Sequence, residues 1–273
     1  MPSLICIRCK NPIFLNSYGT YNCEKCGERL YYSKDFIKTF PDNLLFKNFK
    51  RSYLENKVLN NNAFVSYEYL PNGSISLPER EDVKRFSLYL KTNLIGQSIL
   101  DIGCGIMSKP GYFFFSSINN YNVTGIDPLE GKSFFGTRIV GCSEYLPLEN
   151  NSFDNIVFAT SLDHVVSIDK TLNESYRVLT KNGKVHLWIS DRSTGFFKKI
   201  KNLITSMKQS YLKGYNVNKY FVYENFTVLG VPKGAVDPFH SFNESPKLIK
   251  KLFNRNNFIL ECENYLSKNE IFL

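Results

Sequence analysis

Two sets of residues in this 273-residue chain have the types and spacing that chemistry needs. The first is Cys6, Cys9, Cys23 and Cys26, two Cys-x2-Cys knuckles with thirteen residues between them. Four thiolates presented by two tight turns close a tetrahedral Zn2+ shell, and a shell of four cysteines leaves no open position for a reaction. The metal expected here is therefore structural, and Gly27 follows the second knuckle where a left-handed backbone is needed. The second set begins with Ile99-Leu100-Asp101-Ile102-Gly103-Cys104-Gly105, an apolar strand that breaks into a glycine turn. Twenty-two residues after Gly103 comes a similar strand end, Gly125-Ile126-Asp127-Pro128. A Gly-x-Gly turn lets backbone approach a ligand closely, and an acid ending the next strand can accept hydrogen bonds from ribose hydroxyls. Together they point to a nucleoside-bearing cofactor on a Rossmann-like sheet. A nicotinamide dehydrogenase would show Gly-x-Gly-x-x-Gly entering a helix, but position 108 is serine, so that class is rejected.

The elements that must position these groups are legible as alternation. Strands are expected at Ser98–Ile102, Asn122–Asp127, 138–141, 155–160 and 184–190, with a helix over 168–179 that buries Leu172, Tyr176 and Leu179. A lead helix starts near Pro78-Glu79-Arg80-Glu81-Asp82, where proline and acids suit a first turn, and it carries Val83, Phe86 and Leu90 on one face. Alternating strands and helices make a parallel, doubly wound sheet, and ligands bind at the carboxyl ends of its strands. Within the cysteine segment, Ile13-Phe14-Leu15 and Thr20-Tyr21 read as a hairpin. About 30 residues bury too little surface to fold alone, so the metal supplies much of the folding energy there.

A composition of 43% hydrophobic and 15% aromatic residues belongs to a packed core rather than a disordered chain. No apolar run reaches the roughly 18 residues of a membrane span and no secretory signal opens the chain, so a cytoplasmic location is expected. In that setting seven cysteines read as metal ligands and free thiols, not disulfides. Between Arg192 and Arg255 stand twelve Lys/Arg and three Asp/Glu, a surplus equal to the whole chain's +9. That surplus either draws an anionic substrate, a nucleic acid or a membrane surface, or is a solvated face. In the same stretch Phe196, Phe197, Ile200, Leu203, Ile204, Met207 and Tyr211 recur at helical spacing, with Lys198, Lys199, Lys201 and Lys208 on other faces. This basic amphipathic helix either packs on the domain, or acts as a lid or a membrane-surface contact near 196–211.

Residues from about 98 to 190 resemble a class I S-adenosylmethionine-dependent methyltransferase. The matching pieces are Leu100-Asp101-Ile102-Gly103-Cys104-Gly105, Gly125-Ile126-Asp127-Pro128, Glu144-Tyr145-Leu146-Pro147-Leu148, Ser152-Phe153-Asp154, Leu162-Asp163-His164-Val165 and Arg177-Val178-Leu179, in that order. The resemblance implies an α/β fold with a Rossmann-like, doubly wound, mainly parallel seven-stranded sheet preceded by a small zinc ribbon. The domains expected are a ribbon over 1–33, a connecting and lead-helix region over 34–94, and a methyltransferase domain over 95–273 with a basic insertion at 192–244. A last helix over 246–253 and antiparallel closing strands at 257–265 and 270–273 complete it.

By the same resemblance Asp101, Gly103, Cys104 and Gly105 line the methionine and ribose end of S-adenosylmethionine. Asp127, followed by Pro128, holds the ribose hydroxyls, Cys142, Ser143 and Glu144 stand at the adenine, and Thr160 and Ser161 sit at the fourth strand's tip. Two departures stand out: Met107 where many members carry a third loop glycine, and Cys142 where the adenine-binding aspartate is usual. Among three histidines, His164 beside Asp163 and His240 in Asp237-Pro238-Phe239-His240 fall on the acceptor side, as catalytic bases or substrate contacts. His186, inside Val185-His186-Leu187-Trp188-Ile189, reads as a core histidine. The function expected is methyl transfer to a small molecule, sugar or glycan. RNA methylation using the ribbon and the basic patch is the alternative, and a non-catalytic cofactor-binding scaffold is the third reading.

Overall fold

Short strands surround the cysteine knuckles: β1 (Phe14–Leu15), β2 (Thr20–Asn22), β3 (Arg29–Tyr32) and β4 (Ile37–Lys38). Helix α1 (Glu81–Asn93) follows, and then the alternating core of β5 (Ser98–Ile102), β6 (Asn122–Asp127), β7 (Thr137–Val140), β8 (Phe153–Ala159), α2 (Ile168–Val178) and β9 (Leu179–Ser190). A small hairpin of β10 (Phe221–Tyr223) and β11 (Phe226–Val228) stands apart from the main sheet. Helix α3 (Pro246–Arg255), β12 (Asn264–Ser267) and β13 (Glu270–Phe272) end the chain. This computed structural model describes residues 3–15, 20–32, 37–38, 78–128, 131, 133–165, 167–190, 221–223, 226–228, 245–267 and 270–272.

The sheet runs β1-β2-β3-β4-β7-β6-β5-β8-β9-β13-β12, with β7 through β9 parallel throughout. It therefore has eleven strands where seven were expected. The reason is β4, which pairs in parallel with β7 through Ile37 opposite Ile139 and Lys38 opposite Val140, so the N-terminal strands continue the sheet. Every β5 side chain after Ser98 is buried, as befits a central parallel strand covered on both faces.

Each face has its own core. Val83, Phe86 and Leu90 of α1 pack with Ile99, Val123 and Trp188 on one side. On the other, Leu4, Ile13, Tyr21 and Ile37 share one cluster with Leu100, Ile126, Leu146, Leu148 and Leu172. Fully burying a large apolar side chain contributes about 1.5–3 kcal/mol, so these shared contacts bind the cysteine segment firmly to the sheet.

Several boundaries differ from the pattern. β8 starts at Phe153 because that buried ring's residue pairs with Leu179, and the register then slips so that residues 180–183 bulge before Lys184 meets Asn155. β12 begins only at Asn264. Tyr176 is 52% exposed, and the buried face of α2 is instead Ile168, Thr171, Leu172, Ser175 and Val178. The tyrosine ring meets Phe258 edge-on at the helix surface, 5.7 Å between centroids.

Candidate functional site

The glycine turn after β5 has left-handed backbone at both glycines, with φ of 79° at Gly103 and 68° at Gly105. The two serve different ends. A Cβ on Gly103 would stand 2.3 Å from the Cβ of Ser161, whose hydroxyl donates to the Ile102 carbonyl, so Gly103 admits the tip of β8. A Cβ on Gly105 would meet no atom within 4 Å, so the space beside it is open. The Gly105 N–H donates to Asp127 Oδ2 at 2.9 Å, which joins the two sequence-distant motifs at one edge of the sheet. Gly141 N–H in turn donates to the Asp127 carbonyl at 3.0 Å, bringing the tip of β7 alongside, while Pro128 follows half-buried.

Below the turn, Asp101 is fully buried and its Oδ2 accepts the Tyr112 hydroxyl at 2.9 Å. Burial pushes its carboxyl up to about 8; the Tyr112 hydrogen bond opposes the rise and the negative charge of Asp127 adds to it. Its Oδ1 is buried without a hydrogen-bond partner among the described residues. The Cys104 thiol turns into the core against Gly125 and is pushed well above the usual range by burial, so Cys104 offers backbone to the loop's open side.

A residue missed in the sequence lies directly beneath this loop. Arg138 of β7 is 1% exposed; its Nη1 donates to the Gly105 carbonyl at 2.7 Å and its Nη2 to the Met107 carbonyl at 2.9 Å. Its guanidinium sits 5.2 Å from the centre of the Phe134 ring. The signal available was a basic residue opening the apolar run Arg138-Ile139-Val140.

The other expected cofactor residues sit at neighbouring strand tips. Ser143 Oγ lies 2.8 Å from Thr171 Oγ1, and Glu144 Oε1 accepts the Ser167 N–H at 3.1 Å, so both side chains brace the start of α2. A carboxylate is favourable beside that helix's positive end. The Cys142 thiol, next to Glu144, is pushed well above its ordinary value by burial. Thr160 has φ of 53°, which costs a β-branched residue about 1–3 kcal/mol, and its N–H is held by the Trp188 carbonyl at 2.9 Å.

Asp163 and His164 follow in a single 3-10 turn, with Nε2 to Oδ1 at 3.7 Å and exposures of 24% and 26%. The His164 N–H donates to the Ser161 carbonyl at 3.0 Å, which ties this pair to the residue packed on Gly103. His240 and residues 196–211, where the basic amphipathic helix is expected, lie outside the described residues.

His186 is buried with Nε2 3.2 Å from Asn155 Oδ1, and burial lowers it to about 4. It is the core histidine its strand position suggests. At the opposite end of the strands the Asp154 carboxylate accepts the Gln97 N–H at 2.9 Å, the Ser98 N–H at 3.1 Å and the Ser98 hydroxyl at 2.9 Å, so Ser152-Phe153-Asp154 pins the sheet's far edge.

The cysteine segment brings Cys6, Cys9, Cys23 and Cys26 together, all Sγ within 4.8 Å of one another. Three of the pairs lie at 3.4, 3.4 and 3.6 Å. Four sulfurs bound tetrahedrally at about 2.3 Å stand about 3.8 Å apart, so the cluster has the size a Zn2+ shell needs. Gly27 (φ 73°) and Lys10 (φ 59°) turn the chain after each knuckle, donating N–H to the carbonyls of Cys23 and Cys6.

Residues 100–187 match the family described as methyltransferase domain. The match falls on the doubly wound sheet whose glycine turn and acid meet, so this part of the chain is similar to S-adenosylmethionine-dependent methyltransferase domains. Among named relatives, the demethylmenaquinone methyltransferase of Symbiobacterium thermophilum is 31% identical over 102 residues, 33% of this chain and 41% of that protein. The ubiquinone/menaquinone biosynthesis C-methyltransferase UbiE of Campylobacter jejuni is 29% identical over 191 residues, 65% of this chain and 72% of the relative. The 1,6-didemethyltoxoflavin-N1-methyltransferase of Burkholderia thailandensis, solved with S-adenosylhomocysteine, shares the fold: TM-score 0.52, 12% identity, 89% of this chain and 96% of that one.

Proposed function

We propose that the chain transfers a methyl group from S-adenosylmethionine to a small-molecule, sugar or glycan acceptor, and that its four clustered cysteines hold a structural Zn2+. The observation that carries the methyltransferase reading is the Gly105–Asp127 hydrogen bond beside open space. The residues fit the cofactor: Gly105 leaves a cradle that a side chain would fill, Asp101 keeps a buried oxygen without a partner, and Asp127 ends β6 at the same edge. Bound there, S-adenosylmethionine supplies a methyl carbon on a cationic sulfur, open to in-line displacement.

The chain's own residues do the rest. Asp127 takes the ribose hydroxyls, with Pro128 behind it. Asp101, Gly103, Gly105 and the Cys104 backbone line the amino-acid end. The tips carrying Cys142, Ser143, Glu144, Thr160 and Ser161 frame the remaining walls. For a hydroxyl acceptor, His164 takes the departing proton on an imidazole nitrogen and Asp163 stabilises the resulting cation. His240 is a second contact on the acceptor side. The activities named for the menaquinone and ubiquinone/menaquinone relatives support a small molecule over RNA. No helix among the described residues is long and apolar enough to cross a membrane.

The test is transfer of label from S-adenosylmethionine into cell extract, with and without ribonuclease. Label in a small-molecule or glycan fraction that survives ribonuclease is the expected result. Label lost with ribonuclease replaces the acceptor by RNA, and cofactor binding without transfer leaves a scaffold.

A further inference from the structure

The Arg138 guanidinium does more than fill space. A buried cation is expensive unless its donors are satisfied, and this one places Nη1 and Nη2 on two backbone carbonyls. Those carbonyls belong to Gly105 and Met107, on the loop where a third glycine is replaced. A trans peptide is planar, so its C=O and the N–H of the next residue point in opposite directions. With the Gly105 and Met107 carbonyls held on Arg138, the amides of Ile106 and Ser108 are turned to the other side. Neither amide donates to any hydrogen-bond acceptor among the described residues. Gly131 closes over the same place: a Cβ on it would lie 2.6 Å from Ile106 Cα and 2.9 Å from Arg138 Nη1. Two fixed amides facing away from a cation make an anion-binding nest.

We propose that Arg138 is a positioning residue: by holding the Gly105 and Met107 carbonyls it presets the Ile106 and Ser108 amides to receive a carboxylate, that of the cofactor's amino-acid end. The proposal rests on the cofactor reading above.

The test uses two ligands that differ in that carboxylate, S-adenosylhomocysteine and 5′-methylthioadenosine, titrated calorimetrically into the full chain. Arg138→Met should weaken S-adenosylhomocysteine about tenfold or more, the scale of losing charge-assisted hydrogen bonds, and leave methylthioadenosine within about twofold. Arg138→Lys, which keeps the charge without the fork, should fall between. Equal weakening of both ligands, or of neither, overturns the proposal. A wild-type chain that binds neither ligand overturns the cofactor reading as well. Should Arg138→Met fail to fold, Phe134→Leu decides: removing the ring under the guanidinium should again weaken only the carboxylate-bearing ligand, and an unchanged ratio overturns the idea.

Discussion

Lys10 Nζ lies 3.1 Å from Glu174 Oε2, so the first cysteine knuckle is held to a helix 164 residues further along the chain. The same carboxylate accepts the Leu146 N–H at 2.9 Å and the Arg177 guanidinium at 2.8 Å. Beside it, Leu4 bridges to Leu148, and the Ile5 N–H donates to the Pro147 carbonyl at 2.9 Å. The cysteine segment is thus wired into the connection from β7 to β8, the same connection that carries Cys142, Ser143 and Glu144.

Glu174 should therefore give stability a measurable acid limb. Burial pushes its carboxyl up, but Arg177 and Lys10 more than offset this and hold it below the usual 4.5. A depressed folded value means the contribution is present above the unfolded value and is lost as pH falls through the folded one. Glu174→Gln should cost about 1–3 kcal/mol at pH 7 and show a shallower loss below about pH 4.5 in urea titrations. A variant as stable as wild type at pH 7 would remove Glu174 from this role.

Metal removal should act well beyond the knuckles. Mass spectrometry of the native chain should show one Zn2+ per molecule, and a strong chelator or Cys23→Ser should lower the melting temperature. Because Leu4, Ile13 and Tyr21 share a core with Leu146 and Leu148, amides near residues 146–148 should also exchange faster after chelation. Exchange that rises only in residues 3–32 would show that the segment folds independently.

The two loop glycines should separate stability from binding. Gly103→Ala meets Ser161 at 2.3 Å on a left-handed backbone, so it should unfold or strongly destabilise the chain. Gly105→Ala meets nothing and should cost only about 1–2 kcal/mol for its φ, yet place a methyl in the open space where the proposed cofactor would lie. Melting curves and calorimetry on both variants check this; a Gly105→Ala chain that binds S-adenosylhomocysteine normally would move the ligand elsewhere.

Asp101 should make the protein less stable as pH rises. With its carboxyl at about 8 in the fold and near 3.8 unfolded, the folded state keeps the proton longer. The contribution is complete below the unfolded value and is lost as pH rises through the folded one. Asp101→Asn should flatten denaturation midpoints between pH 5 and pH 9, and should gain most at the alkaline end. A slope that persists in the variant would assign it to another group.

What could be read in the sequence was what is local. Gly103, Gly105 and Asp127 stand at strand ends, where an apolar run and a glycine announce the turn, and the cysteine spacing announces its own cluster. Arg138 was hidden because a strand arginine normally faces solvent; its burial depends on carbonyls in a loop more than thirty residues earlier. The joined sheet was hidden for a similar reason, since β4 contributes only Ile37 and Lys38 to its ladder and their partners are a hundred residues away. Tyr176 was misassigned because the buried side of α2 is centred one residue away, on Ser175, which small size lets pack closely.

His164 and Asp127 should fail in opposite ways, and that contrast tests the mechanism. Asp127 holds the Gly105 amide, so Asp127→Ala should abolish measurable cofactor binding and, with it, turnover. The His164 backbone N–H donates to the Ser161 carbonyl, a bond that alanine keeps, so His164→Ala should bind S-adenosylhomocysteine normally. If it removes the acceptor's proton, its turnover should drop by about 10²- to 10⁴-fold. Asp163→Asn should leave the imidazole in place but withdraw the carboxylate 3.7 Å away, and should lower kcat less than His164→Ala does while sparing cofactor binding. Normal turnover in His164→Ala would pass the base role to His240, whose alanine variant should then bind cofactor and turn over slowly.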